Sequence, residues 1–289
     1  AMGVAAAAAA LRAHGSVSRV ALAACERLAD LCAEAQNRQA AADAGAIEAI
    51  VAAPQAHPQV AGVQQGGCMA MANVCAGFDA AGIARKQRAA DAGGIEVAVA
   101  AMLAHPQVAH VQEYGCWAVA CVCVGTDDAA ALARMQRTAD AGGIELIVAA
   151  LQAHPQVADV QQFGCLAMAS VCSGGDAASL ARKQRAADAG GIELAVAAMQ
   201  AHPQHAGVQQ FGCCAMGNVC YGSDVRSAGA EAASCDSIVA AMQAHPQVAS
   251  VQQLAVAAAG ANGRSRGGGR GYAGAPGRCS CPEARTAFA

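Results

Sequence analysis

Aromatic side chains are scarce in this sequence of 289 residues: one tryptophan, three tyrosines and four phenylalanines, 3% in all. Alanine therefore carries much of the 55% apolar fraction, which favours helices that pack closely but bury little area each. Charge is sparse as well. Charged residues make up 13% and the net charge is −3, which excludes a general attraction to nucleic acid or to anionic membranes. No apolar run is long and unbroken enough to read as a membrane span, because His, Gln, Arg and Gly interrupt each one. The opening Ala1-Met2-Gly3-Val4 and the six alanines after it lack the basic region of a signal peptide. No H-E-x-x-H, Walker loop or kinase signature occurs, and no Ser or Cys nucleophile has a base at a meaningful spacing.

What the sequence does contain is itself, several times over. Asp-Ala-Gly-Gly-Ile-Glu begins at Asp91, Asp140 and Asp188, with a near copy at Asp43. Ala-His-Pro-Gln follows each, its histidine at His57, His105, His154 and His202. Val-Gln-x-x-Gly-Cys ends at Cys68, Cys116, Cys165 and Cys213. All three phrases recur at spacings of 48, 49 and 48 residues. A fixed period in this range specifies a stacked helical solenoid rather than a globular enzyme core.

Each unit divides into three helical pieces. In the second, a polar helix over Arg85–Ala92 is ended by Gly93-Gly94, since glycine supplies the left-handed turn at a helix C-terminus. Ile95, Ala98, Val99 and Met102 then fall at helical spacing on a second helix ending near His105, and Pro106 suits the first turn of a third. The third helix runs from about Gln107 to Val124, with Val108, Val111, Gly115, Ala118, Val119 and Val122 in one stripe. The glycine column Gly67, Gly115, Gly164 and Gly212 is expected to permit close approach between adjacent repeats.

The spacing of Val4, His14, Cys25 and Cys32 matches that of Ile47, His57, Cys68 and Cys75, so residues 1–33 are a repeat without its first helix, as in a fragment of a longer array. Full repeats follow at about 34–81, 82–130, 131–178 and 179–225. Residues 226–259 form a degenerate repeat in which Ala233-Ser234 replace the glycine pair. The stretch 260–289 is Gly/Arg-rich and disordered in composition, either a natural tail or a departure from the repeat's reading frame.

A polar helix, a Gly-Gly turn, Ile-x-x-x-Val-x-x-Met, a break, and then Val63-Gln64-Gln65-Gly66-Gly67-Cys68-Met69-Ala70-Met71-Ala72-Asn73-Val74 resembles an armadillo repeat. Val208 to Val219 shows the same pattern, and the likeness covers roughly residues 1–258. HEAT repeats are two-helix units without the Gly-Gly signal. The resemblance implies an all-α, right-handed superhelix whose third helices line a concave groove for extended peptides. In nuclear import adaptors of this family each third helix carries a Trp and an Asn four apart. The matching pairs here are Met69/Asn73, Trp117/Cys121, Leu166/Ser170 and Cys214/Asn218, none of which has both.

The candidate binding groove is therefore four rows: Gln65/Met69/Asn73, Glu113/Trp117/Cys121, Gln162/Leu166/Ser170 and Gln210/Cys214/Asn218. Asn73 and Asn218 are the foremost hydrogen-bond donors to an extended backbone, and Trp117 is the natural hot spot. The expected partner is a protein or peptide in extended conformation. No catalytic residue, metal, cofactor or small-molecule substrate is expected. Two cysteines seven apart on one helix are separated by about 10.5 Å, too far for a disulfide or a shared zinc, so the cysteine columns read as buried thiols of a cytoplasmic or nuclear protein. The histidine column reads as capping and turn formation. Arg85/Lys86/Arg88, Arg134/Arg137 and Arg182/Lys183/Arg185 read as a solvated edge, partly neutralised by Glu96, Glu145 and Glu193. Alternatives are a regulatory arm of a larger multidomain protein such as a kinase, a nuclear transport adaptor, or RNA binding through the tail and Tyr272. The tail pair Cys279/Cys281 carries no specific signal.

Overall fold

Helix-period apolar positions and an alanine-rich composition leave little alternative to helix, and the computed structural model bears this out. It describes residues 2–125, 129–220 and 228–264, with side chains described outside 228–233 and 260–264. Among these residues there are sixteen helices and no strand. The protein is all-α, with a helical-repeat packing.

The chain divides within one helix into two compact units, one reaching Leu146 and the other starting at Ile147. In the first unit, α1 (Val4–His14) and α2 (Ser18–Ala33) are the second and third helices of the opening repeat. Then come α3 (Ala35–Asp43), α4 (Ala46–Ala56) and α5 (Ala61–Val74), followed by α6 (Ala80–Asp91), α7 (Gly94–Ala104) and α8 (Ala109–Cys123). α9 (Ala129–Asp140) leads into α10 (Gly143–Ala153), where the units divide. The second unit continues with α11 (Ala158–Val171), α12 (Ala177–Asp188), α13 (Gly191–Ala201) and α14 (Ala206–Cys220). It ends in α15 (Ala228–Ala244) and α16 (Ala249–Arg264). Third helices lie side by side: α2 on α5 and α5 on α8 in the first unit, α11 on α14 and α14 on α16 in the second.

The two glycines of the Gly-Gly turn have separate reasons. Gly93 takes φ +92°, the left-handed conformation that reverses the chain after α6. Gly94 already lies in α7, and a Cβ there would stand 2.6 Å from the Met71 sulfur and 2.8 Å from the Ala89 carbonyl oxygen. In the last repeat Ala233-Ser234 replace this pair, and first and second helices run on as the single α15.

The first helix starts earlier than expected, at Ala80 rather than Arg85, because the Asp79 carboxylate caps it by accepting from the Gly82 N–H at 2.9 Å. Pro106 lies in the turn and not in the third helix, which is entered through Val108 in extended conformation. α16 continues to Arg264, past the expected end of the array at 259, and the rest of the Gly/Arg tail lies outside the described residues. Val239 and Val256 are 53% and 61% exposed, although the preceding repeat buries Val196 and Cys213 at the matching positions; no described repeat follows to cover them.

The glycine column corrects an expectation. It permits close approach between the second and third helices of the same repeat, not between adjacent repeats. A Cβ on Gly67 would lie 2.5 Å from Pro54 Cγ, on Gly115 2.4 Å from Met102 Cγ, on Gly164 2.6 Å from Leu151 Cδ2 and on Gly212 2.5 Å from Met199 Cγ. The neighbour is in each case the last buried core residue of the second helix, which leans over the third helix where the two cross. Gly115→Ala is expected to destabilise the protein by about 1–3 kcal/mol through overpacking, whereas Gly175→Ala, with nothing within 4 Å, should leave the urea midpoint unchanged.

Candidate functional site

Stacking helices end against end buries their terminal carbonyls, and each needs a donor. Three side chains recur as donors along the array. The glutamine of the Val-Gln phrase serves the end of the second helix: Gln112 Nε2 donates to Met102 O and His105 O, both at 2.9 Å. Gln64, Gln161, Gln209 and Gln252 do the same in their own repeats. The histidine ring reaches the preceding turn: His105 Nε2 donates to Pro58 O at 2.9 Å, His202 to Pro155 O and His245 to Pro203 O. The histidine column is thus structural, and it joins successive repeats as well as ending a helix.

The third donor set overturns the solvated-edge reading of the basic clusters. Arg85, Lys86, Arg134, Arg182 and Lys183 are buried. They share a helical face with core alanines such as Ala89 and Ala90, so they point at the end of the preceding third helix rather than at water. Arg85 Nε donates to Val74 O and its Nη2 to Ala76 O, both at 2.8 Å, while Nη1 reaches Gln39 Oε1 at 3.0 Å. Lys86 Nζ donates to Gly77 O at 2.7 Å and sits 4.2 Å from the centre of the Phe78 ring. Arg38, Arg134, Arg182 and Lys183 repeat this at Cys32 O, Val122 O, Val171 O and Gly174 O. A cation at a helix C-terminus also meets the negative end of the macrodipole. Arg88, Arg137 and Arg185 are the members that reach the surface, where the solvated-edge reading holds, and Arg88 and Arg137 pair with Glu48 and Glu96 of the preceding repeat. The sequence held the signal: Arg85, Arg134 and Arg182 occupy one register, in phase with the core, and Asn37 stands there in the preceding repeat, its Nδ2 donating to Leu31 O at 2.8 Å.

The cysteine columns are buried and form no disulfide among the described residues, as expected of structural thiols; among these residues Cys235 is the exposed one. Burial pushes the thiols of Cys25, Cys68, Cys75, Cys165 and Cys172 up to about 12 and that of Cys32 to about 11, and raises Cys121 well above its ordinary value. They are protonated at neutral pH and poor nucleophiles. Among the described residues no group of His, Cys, Asp and Glu could hold a metal ion. The pair Cys279/Cys281 lies outside them.

The four candidate rows do not run along one exposed edge. Gln65, Met69, Asn73, Trp117, Gln162, Gln210 and Asn218 are half-buried. Glu113, Cys121, Leu166, Ser170 and Cys214 are buried. Part of the reason is geometric: a row of i, i+4, i+8 turns by about 80° around an α-helix, which carries Cys121 and Ser170 into the core while Asn73 and Asn218 stay half-buried. Ser170 Oγ donates back to Leu166 O at 2.8 Å. Each of the two asparagines uses one Nδ2–H within the fold. Asn73 Nδ2 donates to Ala29 O at 3.0 Å, and Asn218 Nδ2 to Ala169 O at 2.8 Å, each on the neighbouring third helix.

What the rows missed is a ring cluster on α8. His110, Tyr114 and Trp117 follow one another at i, i+4, i+7, which keeps them on one side of the helix. His110 stacks on Tyr114 with centroids 6.4 Å apart, and Tyr114 meets Trp117 at 6.2 Å, tilted by 40°. The buried Glu113 carboxylate accepts from His110 Nδ1 at 3.1 Å. Tyr114 and Trp117 are half-buried and His110 is exposed. The equivalent of Tyr114 on α5 is Gly66, which packs against Leu22 and Cys25 of α2.

No family model matches the chain, and no curated protein matches it. Among solved structures, the fold is similar to a crystal structure described as that of an engineered protein from a structural genomics consortium. The two share 25% identity with a TM-score of 0.67, over 91% of this chain and 97% of that one. Among the described residues no helix is long and apolar enough to cross a membrane.

The buried lysine yields a test of this electrostatic picture. Burial lowers Lys86 from 10.5 to about 8; Cys121 and Cys75 nearby oppose the shift, and Arg134 and Arg85 add to it. The unfolded chain therefore binds more protons than the folded one between pH 8 and 10.5, and Lys86 makes stability rise with pH across that window. Below pH 8 the full penalty, on the order of 3 kcal/mol, stands against the bond to Gly77. The matching position in the next repeat is the buried Met135. Lys86→Met is expected to raise the melting temperature at pH 7 and to flatten the rise in stability between pH 8 and 10.5, as followed by denaturant titration at each pH.

Proposed function

We propose that this protein is a non-catalytic binding scaffold of armadillo type, whose third helices take an extended segment of a partner protein across their solvent-facing edges. The observation that carries this reading is the ring cluster of α8. In a chain with eight aromatic residues, Tyr114 and Trp117 are placed together, half-exposed, on a third helix. Tyrosine and tryptophan supply large rigid contact area at little entropic cost and dominate binding hot spots. The non-catalytic reading draws support from the same places: the thiols of the cysteine columns are buried, and the histidine column and the first-helix arginines bond carbonyls at helix ends and turns.

The resemblance in the three-helix pattern, with its Gly-Gly turn and its recurring Val-Gln-x-x-Gly-Cys, supports the armadillo assignment. α15, which fuses two helices, is the one departure. A cytoplasmic or nuclear setting fits the large number of free thiols. Binding of nucleic acid through the Gly/Arg stretch concerns residues outside those described, and nothing on the helices favours it.

Trp117→Ala is expected to weaken capture of partner proteins from a cell extract at least tenfold while leaving helix content and melting temperature within a few degrees of the parent. Undiminished capture by the folded variant would remove α8 from the binding surface.

A further inference from the structure

Two third helices of the first unit, α5 and α8, carry little charge, unlike their neighbour α2, which holds Arg19, Glu26, Arg27 and Asp30. α5 contains no charged residue at all, and α8 contains no Lys or Arg. Its single carboxylate, Glu113, is buried and engaged by His110. The cations of the neighbouring first helices, Arg85, Lys86 and Arg134, are buried too, with their N–H groups on helix-end carbonyls. A strongly basic or acidic segment would find no complementary charge on these two helices and would give up its hydration for nothing.

What the face offers is flat carbon surface and amides. Tyr114 and Trp117 lie against each other, their ring centroids 6.2 Å apart and the planes tilted by 40°. One helix over, Met69 occupies the position equivalent to Trp117 and is half-exposed, and Gln65 stands one turn before it. α5 and α8 pack side by side, and packed helices have axes roughly 8–10 Å apart. A polyproline II strand rises about 3.1 Å per residue and repeats every three, so prolines three apart stand about 9 Å from each other. That matches the step from one third helix to the next. Proline rings stack on aromatic faces, carry no charge, and leave backbone carbonyls outward as acceptors for amide donors such as Gln65.

We infer that the face formed by Tyr114 and Trp117 of α8 and Met69 of α5 recognises an uncharged, proline-containing segment in polyproline II conformation, with prolines three residues apart seated on adjacent third helices. The inference rests on the binding role proposed for these helices and names the chemistry of its partner.

Trp117 is the only tryptophan, so its emission reports this face directly in the full chain. Four synthetic peptides of equal length, about ten residues, serve as probes: one with Pro-x-x-Pro spacing, one of Gly and Ser, one rich in Lys and one rich in Glu. The proline peptide is expected to shift Trp117 emission saturably, with an affinity that changes little on raising salt and at least tenfold tighter than the Gly/Ser peptide. Tyr114→Ala should weaken it about tenfold and Met69→Ala severalfold, while Tyr114→Phe, which keeps the ring, should retain it. Equal response to the Gly/Ser peptide would overturn the recognition of proline. Preferential, salt-sensitive binding of a charged peptide would overturn it as well, but would leave the binding role of the face standing. No response to any of the four would sink both.

Discussion

Buried helix ends govern this structure. A solenoid of short helices has many termini per residue, and stacking pushes those termini against the next repeat and away from water. Every orphan carbonyl then needs a donor supplied by the protein. The glutamine after each conserved valine closes the second helix from within the repeat, as Gln112 does at Met102 O and His105 O. The histidine and the first-helix arginine close ends across the repeat boundary, as His105 does at Pro58 O and Arg85 at Val74 O. The second kind of closure ties neighbours together, so a repeat severed from its neighbours loses donors as well as apolar contacts. Nearest-neighbour coupling of this sort is what makes a repeat array cooperative despite weak units.

The scarcity of aromatics follows from the same architecture. Helices that cross at Gly67, Gly115, Gly164 and Gly212 sit too close for large side chains at the crossing. Alanine and cysteine fill the remaining space as small apolar groups, which is why the thiols are buried and their ionisation is suppressed. Columns of cysteine and histidine, which in another fold would suggest metal or redox chemistry, are here consequences of packing and of end closure. The residues best equipped for catalysis are the ones most fully committed to the stack.

Much of this was legible in the sequence. Helical period, the Gly-Gly turn and the buried thiols follow from local pattern, and the loss of the turn at Ala233-Ser234 shows as the unbroken α15. What could not be read was anything that depends on which neighbour a side chain meets. Gly115 announces a close approach but not that Met102 of its own repeat makes it. A cluster such as Arg85, Lys86 and Arg88 reads as a charged surface when helix ends are ignored; in register with Ala89 and Ala90, its first two members belong to the interior. The candidate rows erred by the slow drift of an i, i+4, i+8 line, which carries Cys121 and Ser170 inward. His110, Tyr114 and Trp117 were visible individually, but a line kept to the spacing of four steps over Tyr114.

Repetition also locates specificity. Positions such as Gln112 and Arg85 cannot lose their donor without orphaning a helix-end carbonyl, whereas Lys86 serves Gly77 O in the loop beyond α5, and positions at the crossings cannot enlarge without a clash. Variation among the copies is therefore confined to places with slack. Some of these are interior, as where Lys86 of one repeat is Met135 in the next. The others lie on the third helices: Gly66 and Met69 on α5 against Tyr114 and Trp117 on α8. A partner crossing these helices would meet a different side chain at each step while its backbone kept one regular advance. A face built this way selects by the order of side chains in the partner rather than by net charge, of which it has little to offer. On the binding role proposed above, the stack would supply the ruler, and Tyr114 and Trp117 of α8 a mark on it large enough to anchor a partner.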